Sequence, residues 1–186
     1  MVYARMRCNH REDTLMFLKH VGGPDKVMVE IGSYAGEFAE MASPFFKTIH
    51  CIDPWGREAM EDSGPKKIRK TGAQIEAAWD ERAALYDNMV KHKGYDHQYV
   101  GEFADGSIDV LYIDSLHTFN ACGLTALRWW TKIRKPGGYL AGHDYRHPQV
   151  MAVTPVINIF ASMIRRPIFT TGDYSWAIEL PGENDD

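Results

Sequence analysis

The ten residues from 27 to 36 constrain the fold of this chain more than any other segment. Residues 27–31, Val-Met-Val-Glu-Ile, form a short apolar run that is typical of a β-strand buried on both faces. A loop with two glycines, Gly-Ser-Tyr-Ala-Gly, follows it, and residues 37–42 predict a helix. A strand that turns through glycines into a helix is a unit of a parallel sheet, so we expect an α/β fold.

The same alternation of strand and helix continues along the chain. Further apolar runs predict strands at residues 48–53, 88–92, 107–114 and 139–143. Helical spacing of apolar residues predicts helices at residues 13–20, 74–86, 119–133 and 148–164. Residues 168–171 and 175–180 flank a Gly-Asp-Tyr turn and predict an antiparallel hairpin. The expected sheet is therefore mostly parallel, with helices on both faces and one reversed strand at its end.

The sequence allows more specific structural predictions for two of the helices and for one loop. In the helix at 119–133, the large apolar residues are expected to face the core: Leu124, Leu127, Trp130 and Ile133. Pro155 is expected to kink the helix at 148–164 or to mark a break in it, because proline lacks an N–H group. Residues 56–72 are polar and rich in turn formers, which predicts a mobile loop.

Length and composition limit the classes of protein to which the chain can belong. The chain has 186 residues, of which 45% are hydrophobic and 25% charged, the balance of an ordinary globule rather than a disordered, collagen-like or coiled-coil chain. We expect a single domain over residues 1–186, with a core from about 25 to 181 and a frayed acidic tail at 182–186. The net charge of −4 argues against nucleic-acid binding, and the basic run at 66–70 is read as a solvated face.

Cysteine use and hydropathy indicate a cytoplasmic location. The three cysteines form no C-x-x-C pair, which argues against a disulfide framework and a zinc site and suits a reducing compartment. No apolar run reaches the roughly 20 residues of a membrane helix, and three arginines interrupt residues 1–11, so we expect neither a membrane span nor a signal peptide.

The glycine loop and Asp53 together suggest a ligand that contains adenosine. Asp53 ends the second predicted strand, 21 residues after Gly32, where a carboxylate can accept hydrogen bonds from ribose hydroxyls. A dinucleotide site needs a second glycine where this chain has Tyr34, and Glu30 would repel a phosphate but attract a cationic group. A ligand without phosphates fits better than a nicotinamide dinucleotide, although a plain turn beside a surface aspartate is the other interpretation.

Two later blocks make the chain resemble a known family. Residues 30–36 are similar to the first motif of class I S-adenosylmethionine-dependent methyltransferases, and Asp53 matches the acidic residue that holds the cofactor ribose. Residues 109–119 resemble the segment D-x-x-x-I-D-x-x-H-x-Y, and residues 135–145 resemble L-x-P-G-G-x-x-x-G-H-D-Y. Both are typical of a small-molecule O-methyltransferase branch that includes macrolide-sugar enzymes.

The resemblance spans about residues 27–180 and carries several implications. It implies a Rossmann-like, doubly wound sheet of seven strands, S-adenosylmethionine as the cofactor, and methyl transfer to a hydroxyl of a sugar or phenol-like small molecule. Tyr95, after Gly94, is expected to stack on the adenine or to cap the surface. The implied cofactor-binding residues are Glu30, Gly32, Ser33, Tyr34, Gly36, Asp53, Tyr95 and Asp114.

Four polar residues follow two of the predicted strands and are expected to share one rim of the sheet: Asp114, His117, His143 and Asp144. In relatives of this branch, the aspartates that match Asp114 and Asp144 bind a divalent cation, Mg²⁺ or Mn²⁺, which holds the acceptor's hydroxyl oxygens. His117 and His143 are candidates for the base, and we prefer His117 because it lies in the D-x-x-H block. The other interpretation makes these histidines packing or hydrogen-bonding residues.

One departure from the family pattern keeps alternatives open. Relatives with the metal site usually carry another aspartate eight residues after the motif histidine, where this chain has Thr125. A protein that binds the cofactor without catalysis and serves as a partner subunit therefore stays open, and so, less strongly, does a nicotinamide-dependent oxidoreductase. The oligomeric state is also open, since the edge of the hairpin offers a pairing surface for a homodimer.

Overall fold

The computed structural model describes residues 10–56 and 70–182. Most of the loop predicted at 56–72 and nearly all of the acidic tail lie outside these residues. Within them, the strands are β1 Gly23–Ile31, β2 Phe46–Asp53, β3 Met89–Lys93, β4 Val110–Ile113, β5 Tyr139–Gly142, β6 Phe169–Thr170 and β7 Trp176–Glu179. The α-helices are α1 His10–Val21, α2 Glu37–Ala42, α3 Gly72–Ala83, α4 Asp96–Tyr99, α5 Phe119–Trp129 and α6 Val153–Met163.

The seven strands form one sheet in the order β3-β2-β1-β4-β5-β7-β6. Strands β1 to β5 are parallel, and β7 runs antiparallel to both of its neighbours, β5 and β6. The order reverses between β1 and β4, and a crevice opens at the carboxyl ends of parallel strands at such a point. The predicted doubly wound sheet and its C-terminal hairpin are therefore confirmed.

Helices cover both faces of the sheet because its central strands are apolar on both sides. On β1, Val29 packs toward α5 and α6, whereas Met28 packs toward α1 and α3. On β4, Leu111 packs on the same side as Val29 and Tyr112 on the same side as Met28. This alternation has the period of two that strands impose on their side chains. Within the described residues, no helix is both long enough and apolar enough to cross a membrane.

The prediction for the buried face of α5 was wrong for two leucines. Leu124 and Leu127 are 55% and 59% exposed, although Ile133, just after the helix, is buried and Trp130 is partly buried. The buried face consists of Cys122, Thr125, Ala126 and Trp129. Small residues let the helix approach the sheet closely while Trp129 fills the remaining space, so the buried face does not follow the largest apolar residues.

Pro155 does not bend a helix. It is the third residue of α6, where the N–H group that proline lacks has no partner within the helix. The helix predicted from residue 148 begins only at Val153, and residues 148–152 form turns and irregular chain. Proline therefore lies in the first turn of a shorter helix.

Candidate functional site

A cavity of about 750 Å³ opens at the carboxyl ends of β1, β2 and β4. Its volume is in the range of pockets that bind small molecules and cofactors. Of the eight predicted cofactor-binding residues, seven line it: Glu30, Gly32, Ser33, Tyr34, Asp53, Tyr95 and Asp114. Gly36 is not among the lining residues. The ends of the parallel strands thus bring these seven residues to one place.

The two glycines of the loop are required by the way the chain packs on itself. Gly32 has a φ of +94°, and a Cβ atom there would collide with the backbone carbonyl oxygen of Asp114. Gly36 has a φ of +82°, and a Cβ atom there would lie 2.9 Å from the ring of Trp79. L-residues with side chains rarely adopt this left-handed conformation, so both positions favour glycine. Gly36 shapes the start of α2 instead of contacting the cavity.

Asp53 fastens the glycine loop to the end of β2. Its carboxylate accepts hydrogen bonds from the backbone N–H groups of Trp55, at 2.7 Å, and Tyr34, at 2.9 Å. The indole N–H of Trp55 donates in turn to the carbonyl oxygen of Tyr34 at 2.7 Å. Burial raises the pKa of Asp53, and these two backbone hydrogen bonds oppose the rise. Because a carboxylate has about four lone-pair sites, Asp53 can still accept hydrogen bonds from a ligand.

Glu30 brings a buried carboxyl group to the wall of the cavity. It is only 1% exposed, and its Oε2 atom has no hydrogen-bond partner among residues 10–56 and 70–182. The same is true of the hydroxyl oxygen of the buried Ser33. Burial raises the pKa of Glu30 to about 8. Since buried polar groups are normally paired, these orphaned oxygens fit a ligand that brings a cationic or hydrogen-bond-donating group.

The segment from Gly94 to His97 also lines the cavity. The ring of Tyr95 stacks on that of His97, with 5.7 Å between the ring centroids and 13° between the planes. Tyr95 is partly exposed, so its ring can meet a flat ligand. Whether it stacks on a cofactor stays a prediction.

An ion pair that the sequence did not predict lines the same cavity. Asp96 pairs with Arg128 of α5 and accepts a hydrogen bond at 3.3 Å from the indole of Trp129. Both Asp96 and Arg128 line the cavity. The available signal was the spacing of Ala121, Thr125 and Arg128, which places them on one face of a helix. No spacing rule indicated that Asp96 would be the partner.

The four polar residues predicted at the sheet rim lie together. The Nε2 atom of His117 is 2.7 Å from Oδ2 of Asp144 and 3.4 Å from Oδ1 of Asp114. The Nδ1 atom of His143 is 3.3 Å from Oδ1 of Asp144. Asp114 and His117 also line the cavity, so this cluster adjoins it directly.

The carboxylates strongly favour protonated imidazoles in this cluster. Hydrogen bonds to Asp114 and Asp144 raise the pKa of His117 to about 10. Burial opposes the charge of His143, but the hydrogen bond to Asp144 and the nearby carboxylates raise its pKa to about 9. Burial likewise opposes the charge of Asp144, yet the two histidines hold its pKa well below the usual range. Either histidine must therefore lose a firmly held proton before it can act as a base.

Three members of the cluster also form a donor set that suits a cation. Asp114, His143 and Asp144 each offer a ligand atom, and these atoms all lie within 4.8 Å of one another. One divalent ion can contact three atoms at that spacing, since its ligands lie about 2.0–2.6 Å from it. The residues present therefore fit a metal ion. Thr125 is buried and lines the cavity.

Comparison with known proteins places the chain among methyltransferases. A family described as a methyltransferase domain matches residues 29–145. Among curated protein sequences, none is significantly similar to the chain.

Solved structures share the fold at low sequence identity. The O-methyltransferase NovP matches with a TM-score of 0.63 and 12% identity, over 93% of this chain and 78% of NovP. The N-methyltransferase NodS from Bradyrhizobium japonicum gives 0.60 and 16%, over 94% and 98%. SMU.1697c from Streptococcus mutans, a methyltransferase by its description and in complex with S-adenosylhomocysteine, gives 0.61 and 15%, over 94% and 99%.

Proposed function

This chain belongs to the class I S-adenosylmethionine-dependent methyltransferases, and we propose that it methylates a hydroxyl oxygen of a small molecule, a sugar or a phenol-like compound. The observation that carries this proposal is the position of Asp114 and His117. Both residues line the cavity, and both belong to the cluster of carboxylates and imidazoles at its edge. An acceptor at that edge would have proton-binding groups on one side and the cofactor on the other.

We assign the cofactor's polar groups to separate parts of the wall. The buried carboxyl group of Glu30 suits the cationic amino-acid end, because no other group in the described structure pairs with its Oε2 atom. Asp53 suits the ribose hydroxyls, with its carboxylate already oriented by the backbone of Tyr34 and Trp55. The segment from Gly94 to His97 and the side chain of Tyr95 suit the adenine.

When bound, S-adenosylmethionine supplies a methyl group on a sulfonium, which is already an excellent leaving group. The chain must therefore hold an oxygen nucleophile in line with that methyl and exclude water. His117 is suited to receive the hydroxyl proton at Nδ1 once its ring is neutral, because Nε2 then keeps the N–H that donates to Asp144 at 2.7 Å and so orients the imidazole. A divalent cation held by Asp114 and Asp144 would supply a Lewis acid that lowers the pKa of the hydroxyl.

Calorimetric titration with S-adenosylhomocysteine tests the cofactor assignment, with NADH as the control ligand. We expect micromolar binding of S-adenosylhomocysteine and none of NADH. The Asp53→Ala variant should bind at least about tenfold more weakly, because it loses a charged hydrogen-bond acceptor. Asp87→Ala is the matched control, since Asp87 is exposed and does not line the cavity. Binding of NADH alone would contradict the assignment.

Transfer of labelled methyl to matched panels of hydroxyl and amine acceptors tests the chemistry. We expect label on hydroxyl acceptors, and label on amines alone would contradict the choice of oxygen. Cofactor binding without transfer to any acceptor, together with a stable complex with another chain, would favour the non-catalytic partner subunit.

A further inference from the structure

We propose that the cation site formed by Asp114, His143 and Asp144 prefers a first-row transition-metal ion, such as Mn²⁺, over Mg²⁺, and that His143 sets this preference. The inference deepens the proposed function and rests on it for the role of the ion. It goes further in placing a nitrogen ligand beside the two carboxylates, and it leaves His117 as the residue that exchanges a proton with the acceptor.

The geometry gives His143 the place of a third ligand. Its Nδ1 atom faces Oδ1 of Asp144 at 3.3 Å, whereas His117 contacts the other oxygen, Oδ2. Asp114 completes a set whose ligand atoms all lie within 4.8 Å of one another. His143 and His117 therefore face different oxygens of Asp144, so His143 can share an ion with that carboxylate while His117 remains a hydrogen-bonding neighbour that orients it.

The backbone holds His143 firmly in this place. Its N–H donates to the carbonyl oxygen of Ile113 at 3.2 Å, and its carbonyl oxygen accepts from the indole of Trp176 at 3.0 Å. Asp144 follows with a φ of +65°, which turns the chain directly after β5. A donor set built on fixed strand ends has a defined shape before any ion arrives.

Ligand chemistry then decides between ions. Mg²⁺ prefers an octahedral shell of oxygens and gives up its water reluctantly. Imidazole nitrogen suits later metals, and affinity for a given site rises from Mn²⁺ toward Cu²⁺. Replacing one carboxylate oxygen with the nitrogen of His143 therefore weakens the site for Mg²⁺ more than for Mn²⁺.

Separate titrations of the full chain with Mn²⁺ and Mg²⁺ alone test this inference. Calorimetry and the electron paramagnetic resonance signal of free Mn²⁺ report binding without any enzymatic turnover. We expect Mn²⁺ to bind about tenfold or more tightly than Mg²⁺. His143→Asp makes the set all-oxygen and should lower the ratio several-fold. His147→Asn, a histidine in the following turn and outside the set, should leave the ratio unchanged.

Several results would overturn the proposal. They are equal affinities or tighter Mg²⁺ binding in the unaltered chain, an unchanged ratio in His143→Asp, and no binding of either ion. If His143→Asp does not fold, the Mn²⁺ and Mg²⁺ affinities of His143→Gln and of the unaltered chain still test whether His143 sets the preference. S-adenosylhomocysteine titrations of the same proteins separate the two proposals, because cofactor binding without ion binding rejects only the metal site.

Discussion

Glu30 is the residue whose ionisation should most affect binding at this site. Its carboxyl group is buried in the cavity wall, its Oε2 atom has no hydrogen-bond partner in the described part of the chain, and burial raises its pKa to about 8. A cationic ligand group nearby favours the ionised form. Cofactor binding near neutral pH should therefore release a proton from Glu30.

We expect Glu30→Gln to weaken S-adenosylhomocysteine binding about tenfold to hundredfold at pH 8, because a charged hydrogen bond contributes about 1.5–3 kcal/mol. In the unaltered chain, affinity should rise by up to about tenfold per pH unit below pH 8 and then level off. Calorimetry in buffers of different ionisation enthalpy measures both the affinity and the released proton.

Glu37→Gln is the matched control, since Glu37 lines the same cavity from an exposed position. Its affinity should keep the pH dependence of the unaltered chain. A flat pH profile in the unaltered chain, or proton release that persists in Glu30→Gln, would rule out this role for Glu30.

Single residues were predictable where parallel strands end. Glu30, Asp53, Asp114 and Asp144 lie in or just after strands whose carboxyl ends must converge, so their proximity follows from the topology. The pairing of Asp96 with Arg128 joins two helices, and neither the spacing nor the composition of those helices encodes it. The roles of the converging residues stay predictions, because proximity does not establish what they bind.

Helix α5 presents two exposed leucines with different surroundings. Leu124 lines the cavity, whereas Leu127 does not. Both are more than half exposed, so neither contributes much to the core. Substituting each leucine in turn therefore distinguishes an effect on ligand binding from an effect on the stability of the fold within one helix.

We expect Leu124→Ala to weaken S-adenosylhomocysteine or acceptor binding by about fivefold, from the loss of about 1 kcal/mol of apolar contact. Leu127→Ala should leave both affinities unchanged. Thermal unfolding should show that each substitution lowers the free energy of unfolding by less than about 1 kcal/mol. Equal effects of the two substitutions on binding would contradict the prediction that Leu124, but not Leu127, contacts the ligand.

Elements were more predictable than the way they pack. Strand and helix positions followed from periodicity, but the rotation of α5 did not. Its buried face depends on Ala126 and Cys122 fitting against the sheet, and periodicity gives small residues little weight. The start of α6 was misplaced for a related reason, since Pro155 is compatible with both a kink and a first turn.

Several buried groups together determine how the stability of the folded chain depends on pH. The raised pKa of Glu30 gives stability that is present below pH 4.5 and is lost as pH rises to about 8. The raised pKa values of His117 and His143 give stability that is present below pH 6.5 and is lost as pH rises through about 9 and 10. His50 acts in the opposite direction, because burial lowers its pKa to about 4.

Between about pH 4.5 and 6.5 the loss from Glu30 and the gain from His50 offset each other, so we expect a plateau of stability there. Above pH 6.5 we expect a decline of about 1 kcal/mol or more per pH unit. Differential scanning calorimetry across pH 4–10, in a chelating buffer without divalent cations, measures the profile. Glu30→Gln should make the decline between pH 6.5 and 8 shallower, leaving the contribution of the two histidines, and S-adenosylhomocysteine should reduce the decline in the unaltered chain. A melting temperature that rises steadily from pH 6.5 to 9 would contradict these assignments.

The hydrogen bonds from Trp55 and Tyr34 to Asp53 have a consequence for the thermodynamics of association. They fix the glycine loop through contacts within the chain, so the conformational entropy of that loop is lost when the chain folds. An arriving ligand then does not have to order the loop, and more of its contact energy is available as affinity. The ligand meets a preorganised loop, and the backbone there should superpose closely in the free and bound chain.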